Sequence, residues 1–198
     1  MGKIKLEGLN LEVEIPSNIH YFWDGEVNSV AHHYEILEKR YNKMGLIADT
    51  KISAEMQEER ERANGSCPRF YRFGWKEEAR DLGWNENALY ELWINCFIKK
   101  GLPYDKSIFV RGHEETHALF HMGKLHVLAD ALVKLTGQTS LSEFLEAAGR
   151  MQEKRINEKI ADSGGKYALV MAIARGELDY TTEQLDRKLR EFSAHSFI

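Results

Sequence analysis

Proline stands only at positions 16, 68 and 103, well below the roughly 5% of average usage. A proline inside a helix removes a hydrogen bond and clashes with the preceding turn, so its scarcity leaves long stretches free to be helical. Helix is therefore expected to dominate, above all beyond Pro103. Hydrophobic residues make up 43% of the chain and charged residues 29%, a globular balance that excludes disorder, collagen-like repeats and coiled-coil arrays as whole-chain descriptions. The 198 residues are enough for one domain with a real core. Lys and Arg number 27 against 31 Asp and Glu, for a net charge of −4, so no overall field favours a nucleic-acid partner. No apolar run approaches the ~20 residues that span a bilayer, and MGKIKLEGLN carries no apolar secretory core. A cytoplasmic protein without a membrane partner is expected. Cys67 and Cys96 lack C-x-x-C spacing and are read as reduced thiols.

Periodicity sorts the chain into elements. Leu9, Leu11, Val13 and Ile15 alternate with polar residues as in a half-buried strand, with Gly8 as a bulge or tight turn. Val27, Val30, Tyr34, Leu37, Tyr41 and Met44 recur at helical steps. Residues 53–64 read as a solvated helix or a mobile flap, and the aromatic run from Cys67 to Trp75 as a strand. Asn85 is expected to cap a helix carrying Leu89, Leu92, Trp93, Cys96 and Phe97, closed by Gly101. Beyond it the pattern predicts helices over 112–135 with Gly123 as a break, 140–161, 166–174 and 182–194. The stretch Asp162-Ser163-Gly164-Gly165-Lys166 reads as an interhelical turn.

Four of the eight histidines fall between positions 113 and 126. Among them is His113-Glu114-Glu115-Thr116-His117, an H-E-x-x-H on a helix-prone segment. Residues four apart lie one turn above each other, so the two imidazoles can grip one tetrahedral zinc. Glu114 sits about 100° round the helix, beside such a metal, where it can act as general base toward a water that the metal acidifies. The face of His113 and His117 continues through Phe120, Leu128, Ala131 and Leu135, which aims both rings at the core. No second E-x-x-H accompanies the motif, against a ferritin-like di-iron site.

The segment from Ser107 to Leu119 resembles the zincin metallopeptidases. The resemblance implies His113 and His117 as zinc ligands, Glu114 as catalytic base, a peptide or protein substrate, and a single zincin-like metalloprotease domain over 1–198. The expected fold is α+β, a small, mostly antiparallel N-terminal sheet on a helical C-terminal half. The metzincin continuation fails, because Phe120 and Gly123 stand where it wants Gly and His. The gluzincin pattern instead takes a Glu from a later helix. Glu143 is explained as a capping-box partner of Ser140. Glu146, in Glu146-Ala147-Ala148, resembles the Glu-Ala segment of small intracellular gluzincins of the ImmA/IrrE type. A continuous helix to Leu135 that folded back would place Glu158 opposite His117, whereas a break at Gly123 favours Glu146. Glycine costs about 1 kcal/mol in a helix interior, so the break is expected and Glu146 is the expected third ligand, with His126 and Glu158 as alternatives. His126, Tyr167 and Tyr180 are candidate oxyanion donors. The function expected is zinc-dependent peptide hydrolysis, the alternative a catalytically idle zincin-like regulatory or protein-binding domain.

Overall fold

The structure, a computed structural model, describes residues 2–48, 60–73, 89–137 and 154–194. It is a mixed α/β fold with strands in the N-terminal half and helices in the C-terminal half. Two compact units divide the chain: Glu14–Lys100 with Met1–Gly2, and Gly101–Ile198 with Lys3–Val13. Among the described residues no helix is long and apolar enough to cross a membrane.

The first unit is built on a sheet of β3 (Ile19–Val27), β4 (Ile47–Ala48), β5 (Gly65–Ser66), β6 (Arg69–Phe73) and β7 (Leu89–Lys99). Its order is β3-β7-β6-β4, with β5 also on β7. Among its described pairings only β3–β7 is parallel. Ser29 accepts the His32 amide and so caps α1 (Val30–Lys43), whose Val30, Tyr34, Leu37 and Tyr41 form a core with Leu46, Phe70 and Phe97. Val27, expected within this helix, instead ends β3.

The helix expected over residues 89–97 is the strand β7. Leu92, Ile94, Cys96 and Ile98 are buried on one face and Asn95 and Phe97 on the other. A strand covered on both faces has no polar side to set a period of two, and its apolar residues then also satisfy helical spacing. Asn85, its expected cap, and most of the 53–64 segment lie outside the described residues.

Strands β1 (Gly2–Leu6) and β2 (Leu11–Ile15), most of whose residues belong to the second unit, form an antiparallel pair. The turn between them closes with Asn10 donating to the Glu7 carbonyl and takes Asn10 to φ 50°. The Gly8 and Leu9 amides donate to Glu115, 3.1 and 2.9 Å away. That fully buried carboxylate also accepts Arg111 Nε at 3.0 Å. Four helices complete the described unit: α2 (Tyr104–His121), α3 (Leu125–Thr136), α4 (Lys154–Ala174) and α5 (Thr182–Ala194). Helix α2 opens directly after Pro103, earlier than its sequence pattern indicates, and Gly123 at φ 67° breaks the chain before α3 as expected. The imidazole stripe therefore does not run on to Leu135, which is exposed.

The expected turn at 162–166 is instead the middle of α4. The glycines there serve close approach. A Cβ on Gly164 would lie 1.7 Å from Thr116 Oγ1, and one on Gly112 would lie 2.6 Å from the Ala168 Cβ. Neighbours pair in reverse order, Phe109 with Gly165, His113 with Asp162 and His117 with Glu158, so α2 and α4 run antiparallel.

Candidate metal centre

The two imidazoles of α2 project from adjacent turns with ring centroids 4.9 Å apart, inclined at 73°. Their Nε2 atoms approach to 3.2 Å. From α4, Glu158 sets one carboxylate oxygen 3.3 Å from His113 Nε2 and the other 3.6 Å from His117 Nε2. One donor atom from each of His113, His117 and Glu158 lies within 4.8 Å of the others, so the group could hold a metal ion.

One turn further along α4, Asp162 Oδ1 lies 3.0 Å from His113 Nδ1. In the neutral ring that a metal requires, a hydrogen bond at Nδ1 would place the proton there and turn the Nε2 lone pair toward His117 and Glu158. Two ring nitrogens and a carboxylate then aim lone pairs into one small volume, a donor set that a divalent cation satisfies. The residues present fit such a group: two imidazole nitrogens and one carboxylate oxygen are a donor set that divalent transition-metal ions take.

The charges are strongly coupled. Burial pushes His113 down, but its hydrogen bonds to Asp162 and Glu158 outweigh this and hold it up, at about 10. Burial raises Glu158, and the hydrogen bonds to His113 and His117 overcome it to leave its carboxyl well below the ordinary range. Glu114 is buried, and desolvation pushes its pKa up against the pull of both histidines. A carboxylate whose pKa is raised holds a proton more readily, which suits it to take and return one.

Glu146, the third ligand expected from sequence, lies outside the described residues. The inference that tied Glu158 to a continuous helix fails, because the break at Gly123 is present and Glu158 still faces His117. Its position comes from the packing of α4 on α2 and is independent of α3. His126 is exposed on α3. His121 stacks near His117 with centroids 6.4 Å apart, outside the three-donor group. Tyr180 donates to Asp105 at 2.7 Å, and Asp105 precedes His113 by about 12 Å along α2. Tyr167 follows Glu158 by about 13 Å along α4. Neither distance suits an oxyanion donor at this centre.

Asp162 is the residue that sequence reasoning missed. Its signal was present, since Glu158 and Asp162 are spaced four apart like His113 and His117, but it is visible only if residues 154–174 are taken as one helix.

Comparison with known proteins returns no match: no family model fits the chain, and neither a curated protein nor a solved structure is significantly similar to it.

Proposed function

We propose that this chain is a zinc-dependent peptidase of the zincin kind, with His113, His117 and Glu158 as ligands in place of the expected Glu146, and Glu114 as general base. One observation carries the reading: the H-E-x-x-H helix meets, on an antiparallel neighbour, a carboxylate within reach of both imidazoles. When bound, zinc would polarise a scissile carbonyl and acidify a water at the open position. The chain's own residues do the rest. Glu114, buried beside the ligands and raised by desolvation, takes the proton of the attacking water and delivers it to the leaving amine. Asp162 fixes the tautomer and ring angle of His113, and so acts as a positioning residue.

Elemental analysis joined to a peptide-library assay tests this. Wild-type protein is expected to hold about one zinc per chain, in keeping with a single closed donor set. His113→Ala, His117→Ala and Glu158→Ala should lose it, and Asp162→Ala should weaken it by about 10–100-fold. Glu114→Gln should keep the metal and lose about 10²–10⁴ in turnover. Full zinc retention by Glu158→Ala would return the third-ligand role to another carboxylate. A metal-loaded wild type that cleaves no peptide in the library would favour the idle, protein-binding alternative.

A further inference from the structure

We propose that Cys67 and Cys96 form a dithiol/disulfide couple, an oxidant-sensitive modification site in the sheet-bearing unit, separate from the metal centre. The two thiols lie 29 residues apart in sequence with their sulfurs 3.0 Å apart.

Strand register explains the meeting. β5 pairs Gly65 with Ile98 and Ser66 with Phe97, and β6 resumes the same register with Arg69 opposite Ile94. Cys67 therefore falls directly opposite Cys96. Ladder bonds run from Lys99 N to Asn64 O, 2.7 Å, and from Asn95 N to Pro68 O, 3.1 Å. Hydrogen-bonded and non-hydrogen-bonded pairs alternate along an antiparallel ladder, so the 67/96 pair is of the non-hydrogen-bonded kind. There Cα atoms stand about 4.5 Å apart and the side chains are closest, within the ~4.4–6.8 Å that a disulfide spans. Closure needs no change of register.

The two sulfurs are unequal in access. Cys96 is fully buried whereas Cys67 is partly exposed. Cys67 is thus the thiol that meets an oxidant and Cys96 the one that resolves it. With a hydroperoxide, the Cys67 thiolate attacks the peroxide oxygen and its O–O bond breaks, giving a sulfenic acid and one water or alcohol once the leaving oxygen is protonated. The Cys96 sulfur then attacks the Cys67 sulfur, forms the S–S bond and expels hydroxide, which leaves as water with the Cys96 proton. Two electrons pass from the thiol pair to the peroxide. With glutathione disulfide the same exchange releases two glutathione thiols.

The experiment treats purified full-length protein with hydrogen peroxide or glutathione disulfide and follows intact mass, thiol titration in denaturant and peptide mapping. The wild type is expected to lose the mass of two hydrogen atoms, to go from two titratable thiols to none, and to yield a Cys67–Cys96 linked peptide, all reversed by dithiothreitol. The closed loop should raise Tm by about 5 °C. Under native conditions Cys96→Ser should form a glutathione adduct at Cys67 at least tenfold faster than Cys67→Ser forms one at Cys96. Retention of both thiols, stable glutathione adducts on the wild type, or disulfide-linked dimers in place of the internal link would overturn the proposal. The wild-type mass and peptide map decide it even if a serine variant fails to fold.

Discussion

A proton and a bound metal ion would compete for His113. Without metal, Asp162 and Glu158 hold this ring protonated well above its ordinary 6.5, up to about 10. A group raised on folding contributes stability that is complete below its unfolded value and is lost as pH climbs through the folded one. Glu158 acts in the opposite sense: its lowered carboxyl stabilises above the ordinary 4.5 and stops doing so as pH falls through its folded value. Metal-free protein should therefore gain most from this pair between pH 4.5 and 6.5, and lose stability as pH rises toward 10. Metal binding needs the neutral imidazole, so affinity should rise over the same interval. Denaturant unfolding with and without chelator, across pH 5–10, checks both slopes. Parallel pH dependence in the two forms would show that His113 does not exchange its proton for the metal.

Single side chains act here because the helices that carry them approach unusually closely. Gly164 lies where a Cβ would come within 1.7 Å of Thr116 Oγ1 and 3.0 Å of the Gly112 carbonyl oxygen. In an open helix Gly→Ala gains about 1 kcal/mol, whereas overpacking a filled interface costs about 1–3 kcal/mol. The contact should win. Gly164→Ala is expected to lower stability by up to about 2 kcal/mol, the difference of the two effects, and to weaken metal binding together with it, because α4 must move away and take Glu158 and Asp162 along. Lys166→Ala, at an exposed site on the same helix, should stay within about 0.5 kcal/mol of wild type. Calorimetry and metal titration of both variants separate packing from propensity. The same glycines show where sequence reading stops. The H-E-x-x-H helix, its end at Gly123 and the bounds of α5 were legible, since each is written in local spacing. Gly164 and Gly165 carry the same letters whether they end a helix or admit a neighbour, and only tertiary packing distinguishes the two. β7 was misread for a related reason, as burial on both faces removes the alternation that marks a strand. The third donor, Glu158, stood in the sequence only as an alternative to Glu146, because the choice depends on which helix α2 packs against.

At the scale of the whole molecule, the division into two compact units separates what a metal held by His113, His117 and Glu158 would support from what it would not. All three donors belong to the unit of residues 3–13 and 101–198. The other unit has its own core, in which α1 packs on Phe70 and Phe97. Its buried Asn95 is held from within the same unit: Tyr41 donates to Asn95, and Asn95 donates to Asp24. A ligand that binds only the folded state stabilises it by RT ln(1 + [L]/Kd), about 2.7 kcal/mol at a hundredfold excess over Kd. That free energy would act on the segments such a metal would join, α2 and α4. Removing it with a chelator should lower amide protection along 104–121 and 154–174 by up to about a hundredfold, the exchange equivalent of that free energy. Amides of α1 and β7 should change by less than about threefold, as expected of a separate cooperative unit. Native-state hydrogen exchange, with and without chelator, measures both sets in one experiment. An equal loss of protection in β7 and α2 would mean that the chain opens as one cooperative body, and the assignment of the metal's stabilising effect to a single unit would fall.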